Sequence, residues 1–358
     1  MNKSSILQEA LSYCAQYLGG TWECVASSDV ISKRIRRGVS NVLLYLKLAD
    51  YFSHENQEVI VRFYGSELTG KGNKYKLLSE VEEAIVFQTL SEMLSGPKLL
   101  GLFPGGRIEE FICVEQVSVE EYESIEVCSF LAKQIAKFHC LRFPIKKCHK
   151  PSSEQVKSLY QAFCANQTES SHKNEIYLRY FKNFDFGNEV KWIEKMSKST
   201  VVASRIVFSH CDLNRTNIVK RDNTNEYLIF DFEYCRYTDR AADMSTYFIE
   251  IGLNHLQMCD EFDISCYPNE DFKKLFIRQY LSEFKQNFSD FDFFIDHEDR
   301  ILLETDFSLL VICLIRILWI LTQCKISKRL WKQAKIYLLT YNHFKQRFMH
   351  QYSHSLEI

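Results

Sequence analysis

Towards the N-terminus, apolar and polar positions alternate along the chain in short runs. The clearest run places four aliphatic residues on one face of an extended segment: Val42, Leu44, Leu46 and Leu48. A second run with the same period of two extends from Glu58 to Tyr64. Alternation of this kind is typical of half-buried β-strands. Together with a helix predicted over Ser4 to Tyr17, it predicts an N-terminal antiparallel sheet.

Later in the chain the apolar period lengthens to that of a helix. A capping box of Ser118 and Glu121 begins a segment that is predicted to be helical as far as His139. Five apolar residues share one face of it: Ile125, Cys128, Leu131, Ile135 and Phe138. Further helices are predicted over Phe272 to Phe284 and over Phe307 to Leu321, and the second of these is predicted to be buried. The second part of the chain is therefore predicted to be mainly helical.

The change of period predicts an α+β fold with two lobes, residues 1–112 and residues 113–358. The chain has 358 residues, of which 46% are apolar and 14% aromatic. This is enough to bury a large core, and the length favours two domains.

Charge and cysteine content exclude several classes of protein. The net charge is −2, and no basic run is longer than Lys33–Arg37, so neither nucleic acid nor a membrane surface is an expected partner. Met1–Ala10 lacks the pattern of a secretory signal, and Arg316 interrupts the apolar run Leu309–Leu321. The thirteen cysteines form no C-x-x-C pair, which favours free thiols. A cytoplasmic protein without stable membrane insertion is expected.

Two short apolar segments each lead to a carboxylate, and they carry the candidate chemistry. The first, Ile206–Phe208, precedes Asp212, with Asn217 five positions later, and the second, Tyr227–Phe230, ends at Asp231. The turn-forming residues between them predict that the segments pair as a hairpin, which would bring the three polar side chains together. An aspartate can accept a hydroxyl proton. Asn217 and Asp231 are the hard oxygen ligands that Mg²⁺ prefers.

The spacing H-x-D-x-x-x-x-N, followed by a strand and D-F, matches the catalytic loop and metal-binding element of protein-kinase-like enzymes. It predicts phosphoryl transfer from ATP, with Asp212, Asn217 and Asp231 as catalytic residues. Two ordinary surface turns are the alternative, because Asp and Asn are common in turns. His210, one residue before the bend, is predicted to be a hydrogen-bonded structural residue.

An ion pair predicted in the N-terminal lobe would serve the nucleotide. Arg62 lies on the face of its strand opposite to Val59, and Glu83 lies on the apolar face of a helix that begins at Ser79. A carboxylate on an apolar face is costly unless it is paired. We therefore expect Glu83 to pair with Arg62, so that the arginine can reach the ATP phosphates. An exposed ion pair of little consequence is the alternative.

Gly96–Ile112 is predicted to form a turn, a strand and the hinge between the lobes. In an enzyme of this shape, the hinge backbone from Glu109 through Glu110 to Ile112 would hydrogen-bond the adenine edge. A hairpin with an edge strand is the simpler alternative for this segment.

The residues around Asp231 indicate which family of kinase-like enzymes the chain resembles. The most informative positions are Phe230-Asp231-Phe232-Glu233-Tyr234, then Tyr237, Arg240, Asp243, Phe248 and Glu250. This run resembles the signature of choline and ethanolamine kinases, whereas the D-F-G glycine and the A-P-E motif of protein kinases are missing. The resemblance extends from about Arg36 to Lys325. It implies a two-lobe protein-kinase-like fold and ATP- and Mg²⁺-dependent phosphorylation of choline or ethanolamine, the first step of phosphatidylcholine or phosphatidylethanolamine synthesis. A homodimer is also implied.

The resemblance also bears on the loop after the first strand. Gly38, Ser40 and Asn41 could bring backbone N–H groups and short donors to phosphate oxygens, although such a turn is often only a hairpin. The family carries a similar run, which implies that Arg36, Ser40 and Asn41 face the nucleotide. Arg37 stands where the family usually has a glycine.

For the amine, the resemblance implies a pocket that contains a carboxylate and a box of aromatic rings. Glu250, Tyr234 and Trp319 match that pattern. A second tryptophan of the family falls here on Arg316, and a tyrosine falls on His255. We expect either a pocket rebuilt from other rings, such as Tyr247, or weak use of choline relative to ethanolamine.

Two other classes remain open. A small-molecule kinase of the aminoglycoside phosphotransferase type shares the catalytic loop but not the F-E-Y run. A catalytically inactive kinase-like binding module is the second, although Asp212, Asn217 and Asp231 are all present.

Overall fold

The structure is a computed structural model that describes residues 3–35, 41–52, 56–65, 78–93, 96–147, 151–165, 175–222, 224, 226–258, 262–323 and 326–354. The chain forms two compact units. The first comprises Met1–Gln116, Phe143–Ile145 and Val219–Tyr234, and the second comprises Val117–Arg142, Lys146–Ile218 and Cys235–Ile358. The predicted domain division after residue 112 stays a prediction.

A five-stranded antiparallel sheet is the frame of the first unit. Its strands are β1 (Val30–Ile35), β2 (Asn41–Leu48), β3 (Glu58–Tyr64), β4 (Leu99–Phe103) and β5 (Gly106–Glu110). They lie in the order β1–β2–β3–β5–β4. Leu46 and Leu48 of the alternating run are fully buried, as are Val59 and Val61, because that face packs on helix α1 (Lys3–Leu18). The predicted N-terminal sheet is therefore confirmed.

The hairpin between β4 and β5 sets which side chains meet on the sheet. Gly105 has φ +85°, a left-handed conformation that favours glycine, and a Cβ on Gly106 would lie 2.3 Å from the carbonyl oxygen of Arg62. The close approach lets β5 pair with β3 so that Arg107 stands opposite Arg62.

Two further helices lie in this unit. After α1 comes the short α2 (Thr21–Cys24), and α3 (Glu80–Met93) follows β3. The capping box predicted before α3 is confirmed, since Ser79 Oγ accepts from the N–H of Glu82, and Glu82 Oε2 accepts from the N–H of Ser79. Glu83, Phe87 and Leu90 lie on its buried face, while Leu94 lies outside the described residues.

The predicted hairpin between Ile206–Phe208 and Tyr227–Phe230 is wrong. The strands concerned are β6 (Val114–Gln116), β7 (Ile206–Ser209), β8 (Ile218–Arg221), β9 (Tyr227–Ile229) and β10 (Arg236–Asp239). Strand β9 pairs with β8 in a three-stranded sheet with β6, whereas β7 pairs with β10. Such short apolar strands carry no pattern that specifies their partner.

The second unit is mostly helical, as expected. Its helices are α4 (Val119–Tyr122), α5 (Ile125–Cys140), α6 (Ser152–Ala165), α7 (Phe186–Ser197), α8 (Ala241–Leu256), α9 (Glu270–Asn287), α10 (Glu298–Leu321) and α11 (Lys328–Tyr352). Helix α5 packs on α9, and α10 packs on α8 and α11. The helix predicted from Ser118 to His139 is two helices, because Ser124 begins a new one by accepting from the N–H of Val127. Ile125 is consequently exposed.

Helix α10 is the central helix of this unit, and its predicted burial is confirmed over Phe307–Leu321. In the described part of the chain, no helix combines the length and the apolar character that crossing a membrane requires.

Candidate active site

The predicted base, Asp212, lies in the loop after β7 in the second unit. Its Oδ2 accepts hydrogen bonds from Nδ2 of Asn214 at 3.0 Å and from Nδ2 of Asn217 at 3.1 Å. Its Oδ1 accepts a hydrogen bond from Nη2 of Arg316 at 2.8 Å. Both carboxylate oxygens are therefore fixed by side-chain donors. The side chain keeps 13% of its surface exposed, so that a substrate could reach it.

Asp243, in the first turn of α8, holds the backbone of this loop. Its carboxylate accepts from the N–H of His210 at 2.8 Å and from the N–H of Cys211 at 2.7 Å, and Nε2 of His139 lies 3.1 Å from it. Cys211 has φ 66°, which a non-glycine residue rarely adopts, so these bonds offset local strain.

The charge of Asp243 is maintained by its partners. Burial raises the pKa of the Asp243 carboxyl, but hydrogen bonds from His139 and the loop backbone outweigh burial and lower it below its usual range. Nδ1 of the buried His210 accepts from the N–H of Asp212 at 3.2 Å. The predicted structural role of His210 is therefore confirmed.

Asn217 is held through its side-chain nitrogen. Its Nδ2 donates to the backbone oxygen of Asp212 at 2.7 Å as well as to the carboxylate. Its Oδ1 has no hydrogen-bond partner among the residues that the structure describes. Asp231 follows β9 in the first unit and has φ 68°. An amide oxygen and a carboxylate suit Mg²⁺, so the donor set fits the predicted ion.

Asn41 links the start of β2 to the segment after Asp231. Its Nδ2 donates to Oε2 of Glu233 at 3.0 Å, and its Oδ1 accepts from the N–H of Gly65 at 3.3 Å. Arg36 and Ser40 lie outside the described residues.

The predicted pairing of Arg62 with Glu83 is wrong. Nε of Arg62 donates a hydrogen bond to Oε1 of Glu109 at 2.6 Å, and Nε of Arg107 donates one to the same oxygen at 2.7 Å. Nη1 of Arg107 bonds Oε1 of Glu83 at 2.7 Å. We call these four residues the sheet cluster. Burial raises the pKa of Glu109, but Arg62 and Arg107 outweigh burial and lower it.

Strand register is the reason for the different partners. Arg107 faces Arg62 across β3 and β5, and Glu109 stands two residues further on the same face, within reach of both. Arg107 is 3% exposed and its guanidinium lies 4.2 Å from the ring centre of Phe87. Sequence reasoning missed Arg107; its spacing of two from Glu109 was the available signal.

The predicted hinge residues differ in whether their backbone N–H groups already form hydrogen bonds within the protein. Glu109 belongs to β5, and the N–H of Glu110 donates to the carbonyl of Lys98 at 2.9 Å. Ile112 lies beyond β5, and within the described ranges its N–H has no hydrogen-bond acceptor. The N–H of Ile112 is therefore a candidate donor for an adenine.

Glu250 lies on α8 in the second unit and is 9% exposed. The hydroxyl of Tyr337 donates to its Oε1 at 3.3 Å. Burial raises the pKa of Glu250 to about 7; Asp212 adds to the rise, while Arg316 and the Tyr337 bond oppose it. We call Asp212, Glu250, Arg316 and Tyr337 the acceptor cluster, because it contains the predicted base and the predicted amine ligand.

The other predicted amine-pocket residues have different surroundings. Nε2 of His255 lies 2.7 Å from Oε2 of Glu123, so that side chain already has a hydrogen-bonding partner. Trp319 is partly exposed on α10. Tyr234 ends the short turn after Asp231 in the first unit, so its pairing with Glu250 stays a prediction.

Two residues beside Asp212 and Glu250 were not expected from the sequence. Asn214 stands two positions after Asp212, and its place in the catalytic loop was the available signal. Tyr337 comes from α11, and no spacing connects it with Glu250.

Comparisons with a family model and with known proteins point to the same family. The sequence model of the choline/ethanolamine kinase family matches residues 32–349. Human choline/ethanolamine kinase is 28% identical over 291 residues, covering 78% of this chain and 70% of that protein.

Solved structures share the fold. The choline kinase of Cryptosporidium parvum superposes with a TM-score of 0.69 at 20% identity, covering 96% of each chain. LicA, the choline kinase of Streptococcus pneumoniae, in complex with AMP, has a TM-score of 0.59 at 13% identity, covering 96% of this chain and 100% of that chain. The predicted kinase-like α+β fold is thereby confirmed.

Proposed function

Because the chain belongs to the choline/ethanolamine kinase family, we propose that it transfers the γ-phosphoryl group of ATP to the hydroxyl group of choline or ethanolamine. The observation that carries the proposal is the fixed carboxylate of Asp212. Asn214, Asn217 and Arg316 hold its two oxygens, and Asp243 holds the backbone on which it stands.

Asp212 orients the acceptor hydroxyl and receives its proton. The hydroxyl oxygen forms a bond to the γ-phosphorus while the bond from that phosphorus to the β–γ bridging oxygen breaks, and ADP leaves with the electron pair. Catalysis of this transfer depends mainly on positioning and on stabilisation of charge. A carboxylate whose oxygens and backbone are already held needs little reorganisation to do this.

Residues from several structural elements are assigned to binding the nucleotide and the metal ion. By the family resemblance, Asn217 Oδ1 and the carboxylate of Asp231 would hold Mg²⁺, which would offset the charge of the phosphates. The N–H of Ile112 donates to the adenine. That LicA, which has the same fold, was solved with AMP supports a nucleotide as the phosphoryl donor.

Arg62 and the phosphate loop provide the remaining contacts with the nucleotide. Arg62 shares Glu109 with Arg107, so its guanidinium is oriented from the sheet side. Glu83 acts through Arg107 rather than on Arg62. The family resemblance assigns Arg36, Ser40 and Asn41 to the phosphates. It assigns Glu109 and Glu110 to the hinge beside the adenine, although the N–H of Glu110 already donates to Lys98.

The ammonium group of the acceptor is paired with Glu250. This carboxylate is buried and close enough to Asp212 for the two charges to interact. The family resemblance also assigns Trp319, Tyr234 and the position of His255 to the amine. The enzyme acts in the cytoplasm as a homodimer, at the first step of phosphatidylcholine or phosphatidylethanolamine synthesis.

The test is an acceptor panel with purified full-length protein, ATP and Mg²⁺. ADP release and the phosphorylated product are measured with choline, ethanolamine, an aminoglycoside and no acceptor. We expect phosphorylation of at least one of the two amino alcohols. Turnover of the aminoglycoside alone would assign the chain to that class of kinase. ATP binding without any turnover would indicate a binding module.

A further inference from the structure

Two residues of α10 break its otherwise continuous burial. Between Phe307 and Leu321 every residue of the helix is buried except Arg316 and Trp319. They are three positions apart, so they share a face. Trp319 is a predicted ring of the amine pocket, and the family resemblance implies a second ring at the position of Arg316.

Arg316 is directed at the reaction centre. Nη2 donates to Oδ1 of Asp212 at 2.8 Å, and 28% of the side-chain surface is exposed. Asp212 is its hydrogen-bond partner within the described ranges, and this bond uses only one of the five N–H donors of a guanidinium. A permanent positive charge thus lies beside the carboxylate that receives the hydroxyl proton.

The same charge acts on the predicted ammonium site. Arg316 and Asp212 both contribute to the electrostatic environment of Glu250, which is the carboxylate proposed to bind the amine. An acceptor that reaches from Glu250 to Asp212 must therefore place its own cation near the guanidinium. Repulsion between like charges applies to every ammonium that binds there.

Two kinds of ammonium differ in what offsets this repulsion. A primary ammonium donates up to three hydrogen bonds and can approach a carboxylate closely in charge-assisted bonds. A trimethylammonium has no N–H and depends on aromatic faces. The loss of a ring at position 316 therefore weakens the binding of choline more than that of ethanolamine.

The ring that was expected as a substitute, Tyr247, is already engaged elsewhere. Tyr247, the expected substitute, is fully buried, and its hydroxyl donates to the carbonyl of Tyr122 at 2.8 Å. Its ring packs against Phe248 and Phe276. The expectation of a pocket rebuilt from Tyr247 is not supported by this packing.

We propose that Arg316 is a specificity-determining residue, which selects a compact primary ammonium over a trimethylammonium at the acceptor site. The inference rests on the proposed function, because it takes Glu250 as the amine ligand.

The first experiment measures kcat/KM of the full-length protein for ethanolamine, its N-methyl and N,N-dimethyl derivatives, and choline. We expect kcat/KM to fall with each methyl group and to be at least about tenfold lower for choline than for ethanolamine, on the scale of one ring contribution. Equal or better use of choline would overturn the inference while the proposed function stands. Absence of turnover with every amine would overturn both.

The second experiment uses substitutions and reads the ratio of kcat/KM for choline to that for ethanolamine. The ratio cancels any effect on Asp212 that is common to both acceptors. We expect Arg316→Trp to raise the ratio at least about tenfold and Arg316→Lys, which keeps the charge, to leave it low. Arg278→Trp is the matched control, since Arg278 is an exposed arginine on α9, and it should not change the ratio.

An unchanged ratio in a folded Arg316→Trp variant would contradict the inference. If that variant does not fold, the methylation series on the unmodified protein decides the question alone. A hydroxy amino acid such as serine is included as a further acceptor. Faster turnover of serine than of ethanolamine would show that Arg316 binds an anionic group, and it would overturn the proposed preference.

Discussion

The sheet cluster and the acceptor cluster differ in how their charges are balanced. In the sheet cluster, two arginines face two glutamates, and Glu109 and Arg107 each bond two partners. In the acceptor cluster, Arg316 is the counter-charge for both Asp212 and Glu250, and Glu250 has a tyrosine as its hydrogen-bond donor.

This difference in charge balance is what we expect if the sheet cluster stabilises the fold and the acceptor cluster binds a ligand. Buried charges that are paired and hydrogen-bonded are tolerated in a protein interior, and removal of one partner is costly. A buried carboxylate that lacks a full counter-charge has a raised pKa, as Glu250 has, and it can gain from a cationic ligand. Perturbing the sheet cluster should therefore affect stability first, whereas perturbing the acceptor cluster should affect chemistry first.

The largest effect is expected from Arg107→Leu in the sheet cluster. This change leaves Glu83 and Glu109 buried with one arginine fewer, which typically costs about 3–5 kcal/mol. The free energy of unfolding of the variant is measured by chemical denaturation. Arg278→Leu, which breaks an exposed pair with Glu298, is the control and should cost at most about 1 kcal/mol. Similar small losses in both variants would contradict the framework role.

In the acceptor cluster, Asp212→Asn should lower kcat by at least about 10²-fold, the usual scale for loss of a positioned base. The thermal midpoint should change little, and ATP should still bind in a calorimetric titration. Near-normal turnover would remove Asp212 from the mechanism.

The metal assignment is tested by comparing Asp231→Ala with Asn217→Ala. The first removes an anionic ligand and the second a neutral one, so Asp231→Ala should weaken Mg²⁺-dependent nucleotide binding more, by at least about tenfold. Mg²⁺ titrations of nucleotide binding give the measurement. Equal and mild losses in the two variants would argue against these ligands.

The pH dependence of amine binding should show the incomplete balance of the acceptor cluster. The pKa of Glu250 is raised to about 7 by burial; Asp212 adds to the rise, whereas Arg316, the Tyr337 hydroxyl and Arg329 oppose it. Below pH 7 the carboxyl is largely protonated and loses its attraction for an ammonium. The KM for ethanolamine should therefore fall, by up to about tenfold, as the pH rises from about 6 to 8.

Glu250→Gln is the control for this titration, and its KM should be high and nearly independent of pH. Stability should move in the opposite direction to affinity. The folded-state pKa of Glu250 lies above its unfolded value, so this group contributes stability at low pH that is lost as the pH rises from about 4.5 to 7. A pH-independent KM in the unmodified protein would separate Glu250 from the amine.

Local features of this protein could be predicted from the sequence. The period of two predicted strand β3 with its observed bounds, and the S-x-x-E patterns at Ser79 and Ser118 predicted capping boxes that form. The spacing from Asp212 to Asn217 predicted that these two side chains lie together, and they are hydrogen-bonded. All of these depend on residues a few positions apart, whose geometry follows from backbone periodicity.

Interactions between distant segments were decided by tertiary structure. From the sequence, Arg62 was predicted to form an ion pair with Glu83. The register of β3 and β5 instead brings Glu109 to Arg62 and Arg107 to Glu83. The strand before Asp212, β7, was likewise predicted to pair with β9, but it pairs with β10. Several acidic side chains can satisfy one arginine, and strand register selects among them.

The acceptor cluster shows the same limit. The sequence raised the question of whether Arg316 faces the amine pocket, and only the packing of α10 in the second unit puts its guanidinium on Asp212. Tyr337 reaches Glu250 from α11, which no spacing along the chain connects with α8. Sequence thus determined which ionisable groups are present and which local elements hold them. Tertiary structure determined the partners that set their charge, because ion pairs and desolvation depend on distances between segments far apart in the chain.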